Sequence, residues 1–201
     1  NPDNLSARHM VSALQGQTTE MAPSKYIQNL FDQSAAKFDH QLVQELNYHS
    51  PSALRQALND LLKQGERFKN AVDLGCGTGL SGLAFHDLID RLTGTDLSPK
   101  MIDLAKKRNI YSALKTGDIV EFLITSEEMF DLFIATDVLV YIGNLEPLFS
   151  AVRKHALPGA RFVCLTETAD SGTYTLRQTG RYAHSREYIE SLADKYGFVI
   201  E

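Results

Sequence analysis

Along most of the chain, short apolar runs alternate with segments whose apolar residues recur every three or four positions. Runs of that kind read as strands buried on both faces, and the segments between them as amphipathic helices. The run Ala71 to Leu74 stops at alternating glycines, Gly75, Gly77 and Gly79, and a helical period begins at Leu80 and continues to about Asp90. This is strand, tight turn, helix. Arg91 to Thr95 reads as a second strand and Tyr111 to Lys115 as a third. Between them a helix over 99–108 turns Met101, Ile102, Leu104 and Ala105 inward, with Ser98-Pro99 as N-cap and first-turn proline. Gly117-Asp118-Ile119 leads into a helix over 119–125, and Phe130 to Thr136 is strand four. A helix from Leu145 to His155, a fifth strand from Arg161 to Glu167, a helix from Ser185 to Tyr196 and a sixth strand opening at Phe198 to Ile200 complete the series. The expected fold class is α/β, a doubly wound, mostly parallel sheet with helices on both faces.

Helical periods also precede the first strand. Leu5, Met10, Val11 and Leu14 make one face of a short helix over 5–15, and Gly16 to Pro23 reads as a linker. Ser24 can cap a helix through Phe31, Ala35 to Leu46 reads as another, and Ser50-Pro51 starts a third that runs through Leu62. The organisation expected is an N-terminal helical segment or lid over 1–68 and a ligand-binding domain over 69–201. Tyr26, Phe31 and Phe38 are either inner-face lid residues or ordinary core.

Composition narrows the class only a little. Hydrophobic content of 43% and charged content of 22% over 201 residues suit one soluble domain with an added segment. The net charge of −5 argues against a broad nucleic-acid or anionic-membrane footprint. The longest apolar run, around Leu132 to Ile142, is broken by Asp137 and too short to cross a bilayer. Cys76 and Cys164 lie on separate elements without C-x-x-C spacing, so reduced thiols and a cytoplasmic location are expected. The six His are scattered, so no metal site is expected, and no G-x-S-x-G or G-K-[ST] motif occurs. The first residues, Asn1-Pro2-Asp3, carry neither an initiator Met nor a signal-peptide pattern, which suggests a trimmed chain.

The glycine turn carries the candidate chemistry. Bare backbone and the free amides of the following helix open a place for a ligand, and the carboxylate of Asp73 can accept from the loop amides. Asp96, at the end of strand two, is placed to hold two ribose hydroxyls in a Rossmann-like nucleotide-binding unit. Two registers are open. Gly77-Thr78-Gly79-Leu80-Ser81-Gly82 also fits the dinucleotide pattern, but an acid at position 73 is an odd neighbour for pyrophosphate and a natural one for an ammonium group. A register beginning at Gly75 is preferred.

V-D-L-G-C-G-T-G at 72–79, T-G-T-D-L-S at 93–98, T-G-D-I at 116–119 and F-D-L-F-I-A-T-D-V-L-V-Y at 130–141 together resemble the successive motifs of class I S-adenosylmethionine-dependent methyltransferases. The resemblance covers about 25–201. Tyr26 to Asp32, Ala36-Lys37-Phe38-Asp39 and Gly180 to Ser185 are similar to a bacterial subgroup associated with tetratricopeptide repeats, none of which is visible in this chain. The resemblance implies S-adenosyl-L-methionine as cofactor and S-adenosyl-L-homocysteine as product. It gives Gly75, Gly77 and Gly79 to the methionine moiety, Asp96 to the ribose and Leu97 to the adenine, and counts Asp73, Cys76 and Met101 among the cofactor-binding residues. Asp118 would accept the adenine amine, Ile119 would donate its amide to the ring, the Thr136 carbonyl would take the ammonium, and Phe38 would lie near the methionyl part. Each acid also has a plainer use: Asp96 as a cap before Pro99, Asp118 as a cap for 119–125, Asp137 as a loop cap.

For a base or acceptor contact, the candidates are His184, in a loop after strand five, and Tyr141 after strand four, with His155 as a third. Arg181 is either a binder of a substrate acid or a solvated charge. The acceptor implied is a small molecule or a protein, with neither nucleic acid nor membrane as partner and no readable oligomeric state. An NAD-binding oxidoreductase and a non-catalytic nucleoside-binding interaction module are the alternatives. Such folds usually finish with an antiparallel seventh strand, before which this sequence stops.

Overall fold

The computed structural model describes residues 4–40 and 48–201. Ahead of the sheet lie α1 (Leu5–Leu14), α2 (Ser24–Ser34), the short helix α3 (Phe38–His40), joined to α2 by a 3-10 turn at Ala35–Lys37, and α4 (Ser50–Leu61). The expected helix from Ala35 to Leu46 is therefore described only as far as His40, and 41–46 lie outside the described residues. Then follow β1 (Phe68–Leu74), α5 (Leu80–Phe85), β2 (Ile89–Asp96), α6 (Pro99–Lys106), β3 (Ala113–Thr116), α7 (Ile119–Thr125), β4 (Phe130–Ala135), α8 (Glu146–His155) and β5 (Ala156–Cys164). The chain ends with β6 (Glu167–Thr168), β7 (Tyr174–Leu176), β8 (Tyr182–His184) and α9 (Arg186–Tyr196).

The five long strands pair in the order β3-β2-β1-β4-β5, all parallel. Strand order reverses between β1 and β4, which opens a crevice at their carboxyl ends. Alternation along β4 builds two cores. Leu132 and Ile134 face a layer with α4 and α5, where Leu54, Leu58 and Phe85 are buried. Phe133 and Ala135 face α7, α8 and α9 through Leu123, Leu148, Val152 and Leu192. Phe130, at the start of β4, joins the second cluster despite its even number, and the β4–β5 register shifts between Phe130 and Leu132. The same irregularity explains why β5 starts before the expected Arg161. Ala156 already pairs with Phe130, and Pro158-Gly159 bulges out between paired residues rather than ending a helix turn.

Local capping sets several boundaries. The Ser98 hydroxyl accepts from the Met101 amide at the start of α6, and Ser185 does the same for Tyr188 at α9. Asp118 accepts from the amides of Val120 and Glu121, so the plainer use of that acid is in place.

Several expectations fail. Ser24 and Ser50 lie inside α2 and α4 and cap neither, and the helix from Leu80 ends at Phe85, with Ile89 and Asp90 already in β2. Phe198 to Ile200 is irregular, not a sixth strand: Gly197 ends α9 with φ 69°, and Phe198 then packs its ring on Phe149 and Phe162. The run from Glu167 to His184, read as strand end and loop, instead forms a separate sheet in the order β6-β8-β7. That sheet exists because the N-terminal segment backs it. Ala13, Ala22 and Ile27 share a buried cluster with Val140, Tyr141, Leu176 and Tyr182. Thr19 and Tyr182 share a hydroxyl hydrogen bond of 2.6 Å, and His9 Nε2 donates to the Gly180 carbonyl at 2.9 Å.

The linker is ordered by the same contacts. The Ala22 amide donates to Tyr141, Glu20 accepts from the amides of Gly143 and Asn144, and Met21 bridges Ile142. This strap draws the N-terminal helices over the sheet's open end. Among the described residues, no helix is long and apolar enough to cross a membrane.

Candidate functional site

At the carboxyl ends of β1, β2 and β4 lies a cavity of about 350 Å³. Its floor is Gly75, Cys76, Gly77 and Thr78 from the loop after β1, Asp96 and Leu97 after β2, Asp118 and Ile119, and Thr136 to Val138 after β4. Its roof is Ile27, Phe31 and Phe38 from the N-terminal helices, and Met21, Tyr141, Ile142 and Arg181 close the far end.

The floor is rigid for reasons the sequence supplies. Gly75 has φ 71°, and a Cβ there would lie 2.6 Å from Val138 Cγ2, so the β1 and β4 loops approach each other only because position 75 is bare. The amides of Gly75 and Cys76 both donate to the Thr95 carbonyl. Asp96 is buried at the lip of the cavity. Its Oδ2 accepts from the Gly77 amide at 2.9 Å and its Oδ1 from the Ser98 amide at 2.8 Å. Burial pushes this carboxyl up, and the two amides pull it back toward the charged form. Each oxygen keeps a lone pair for a ligand hydroxyl.

Asp73 is placed differently from expectation. It accepts from no loop amide and does not line the cavity. It is wholly buried beneath the loop, with Oδ2 accepting from the Tyr111 hydroxyl at 2.7 Å. Burial pushes it up to about 7, against the Tyr111 hydroxyl, and the Asp96 charge adds to the rise. Gly79 also stands behind the loop rather than in the cavity. A Cβ there would meet Arg108 Cδ at 2.9 Å and the Tyr111 ring at 3.0 Å. Met101 is fully buried in the α6 core and does not line the cavity, because the cap at Ser98 turns its side chain under the helix.

The far end holds Tyr141 and Arg181 together. The Arg181 guanidinium lies 5.9 Å from the Tyr141 ring centroid, donates through Nε to Glu167 at 2.6 Å, and stands 3.8 Å from Asp137. It is an oriented cation, not a solvated one. Burial pushes the Tyr141 phenol up, and Arg181 partly offsets that. Asp137 has a positive φ of 55°, and burial with the Asp137 carboxylate pushes the Tyr48 phenol up. Phe31 packs edge-on against both Phe38, at 5.8 Å, and Tyr141, at 5.5 Å.

His184 is a correction. It sits at the end of β8, buried away from the cavity, with Nε2 donating to the carbonyls of Ile142 and Gly143 and Nδ1 accepting from the Thr166 hydroxyl. Burial lowers its pKa, which keeps it a neutral, fully partnered imidazole. His155 is buried at the end of α8 and bonds the Glu128 carbonyl. Neither is placed to act as a base in the cavity. Among the described residues, no group of three or more His, Cys, Asp or Glu is placed to hold a metal ion.

Sequence reasoning missed Met21, Tyr48, Tyr111 and Arg108. Only Tyr111 left a trace, as the bulky residue opposite the small positions Gly79, Gly82 and Gly94, each of which would put a Cβ within 3.0 Å of its side chain.

Residues 72–162 match the family model described as "Methyltransferase domain". Nodulation protein S of Rhizobium tropici is 31% identical over 86 residues, 41% of this chain and 35% of that protein. Malonyl-[acyl-carrier protein] O-methyltransferase of Salmonella typhimurium is 26% identical over 161 residues, 80% of this chain and 61% of that protein. The chain thus spans about a third to three fifths of the length of these two relatives. The solved structure described as the DhpI–SAH complex shares the fold at a TM-score of 0.64 and 20% identity, covering 86% of each chain.

Proposed function

We propose that this chain is a class I S-adenosylmethionine-dependent methyltransferase and that it transfers a methyl group to a small-molecule or protein acceptor. The observation that carries this reading is a carboxylate, Asp96, pinned by two backbone amides at the lip of a cavity over the strand-order reversal. The residues suit the cofactor. A Cβ at Gly77 meets nothing within 4 Å, so that backbone faces open space, and Thr136 Oγ1 is buried there without a partner.

When bound, S-adenosylmethionine supplies an electrophilic methyl on a sulfonium. Asp96 holds the ribose hydroxyls, and Leu97 and Ile119 close on the adenine with Asp118 beside them. Gly75, Cys76 and Gly77 lie along the methionine moiety, the Thr136 carbonyl takes its ammonium, and Phe38 covers it. The chain aligns acceptor and methyl and excludes water from between them, which is most of what such a displacement asks of a protein. Tyr141 and Arg181 stand where an acceptor enters. Within the described lining the cavity has no imidazole or lysine, so the acceptor either arrives as its own nucleophile or passes its proton to Asp137 or water.

Isothermal calorimetry with S-adenosylhomocysteine tests the reading. Binding in the micromolar range, weakened at least about a hundredfold by Asp96→Ala, is expected, since two hydrogen bonds to a charged group are lost. The absence of both heat and thermal shift in the unaltered protein refutes it. NADH fluorescence on mixing would instead favour the dinucleotide alternative.

A further inference from the structure

Arg108 lies just after α6, outside the cavity, and the proposed transfer makes no use of it. Its guanidinium nevertheless joins the roof of the site to the floor. Nε donates to the Thr78 carbonyl at 2.6 Å, and a terminal nitrogen donates to Asp39 Oδ2 at 2.6 Å. The other oxygen of Asp39 accepts from the Thr78 hydroxyl. Arginine, carboxylate and threonine thus close a ring between the glycine loop, the end of α6 and the lid helix α3.

The sequence makes room for this ring. The Arg108 stem crosses the glycine loop at Gly79, where a Cβ would lie 2.9 Å from its Cδ and 3.3 Å from its Nε. Gly79 is bare for Arg108, whereas Gly77 is bare toward the cavity. An ordinary surface ion pair is worth little, and the Asp39 side chain is 48% exposed. This pair differs because both carboxylate oxygens are engaged and the arginine also holds a backbone carbonyl, so geometry is fixed as well as charge. A parallel tie lies one helix back: Asp32 Oδ1 accepts from the Ser98 hydroxyl, next to the amide that pins Asp96. Two acids of the lid therefore each grip a loop that carries a cavity-lining group, and Phe38, beside Asp39, is the roof residue they fix.

We infer that Arg108 is a positioning residue that, through Asp39 and Thr78, latches the lid to the glycine loop and holds Phe38 over the cavity. What lies beneath Phe38 rests on the methyltransferase reading, whereas the latch itself does not. The lid then closes against a loop already in its binding shape, and release of a bound nucleoside requires the ring to open.

Hydrogen–deuterium exchange on the unliganded full chain separates the two. Arg108→Met keeps the apolar stem across Gly79 and removes the donors; Asp39→Asn removes the charge from the exposed side. Each is expected to speed exchange over 24–40 about tenfold, with α8 and α9 unchanged, and the double variant to go no further than the single ones. The S-adenosylhomocysteine off-rate is expected to rise by a similar factor while the on-rate changes by less than about threefold. Exchange over 24–40 equal to the unaltered protein in either single variant, or effects that simply add in the double, would overturn the latch. If the unaltered protein binds no S-adenosylhomocysteine, the methyltransferase reading fails and the exchange data still decide the latch.

Discussion

Asp73 yields a pH dependence whose size follows from its surroundings. The carboxyl is wholly buried, and its one clear partner is the Tyr111 hydroxyl; the Gly82 amide favours the charged form without meeting hydrogen-bond geometry on the open oxygen. Burial keeps the folded chain protonated there up to about 7, whereas the unfolded chain ionises near 3.8. Between those values the folded state holds one more proton than the unfolded state. Stability therefore falls as pH rises through that window, and above it the loss is complete. At about 1.4 kcal/mol per pH unit, the loss is about 4 kcal/mol. Asp73→Asn removes the titration, and its carbonyl still accepts from Tyr111. Urea unfolding compared across pH isolates this group, because other titrations cancel in the difference. The variant is expected to gain about 3 kcal/mol on the parent between about pH 5 and about pH 8. Tyr111→Phe, which deletes the hydroxyl that favours the charge, is expected to carry the same slope on to higher pH and so enlarge the total loss. Parallel curves for parent and Asp73→Asn would refute the account of a buried, protonated acid.

Other substitutions probe the frame. Gly75→Ala forces a Cβ to 2.6 Å from Val138 at φ 71°, and thermal unfolding is expected to show a loss of about 2 kcal/mol or more. His184→Asn disconnects Thr166 from the Ile142 and Gly143 carbonyls; a loss of about 1–3 kcal/mol in unfolding, with S-adenosylhomocysteine affinity unchanged in calorimetry, fits a structural imidazole. A collapse of that affinity at full stability would return His184 to the site. Leu132→Ala, at a fully buried position in β4, is expected to cost about 3–5 kcal/mol by denaturant titration.

The legible part of this protein was written in short-range chemistry. Three glycines after an apolar run, Asp96 at the end of the next strand, Ser98-Pro99 and Asp118 each announce a turn or cap through neighbours a few residues away. Alternating strand and helix periods then imply a parallel sheet. Those signals were enough for the α/β class and for most of the cavity floor. They misjudged the start of strand five, which pairing of Ala156 with Phe130 in β4 sets ahead of Arg161, and Phe198, where packing on Phe162 outweighs strand-like composition.

What only the tertiary structure decided is which distant segments meet. Strap residues Glu20 to Ala22 turn the run after Tyr141 into an edge and seat Met21 on the cavity. The pairing of β8 between β6 and β7 sends Arg181 into the site and buries His184 among carbonyls, though the two are three residues apart and alike in sequence as candidate chemistry. Asp73 and Gly79 belong to the motif yet face Tyr111 and Arg108 behind it. Periodicity fixes the face a residue shows to its own element, but the partner on that face comes from chain folded back over long separations, and no local pattern encodes it.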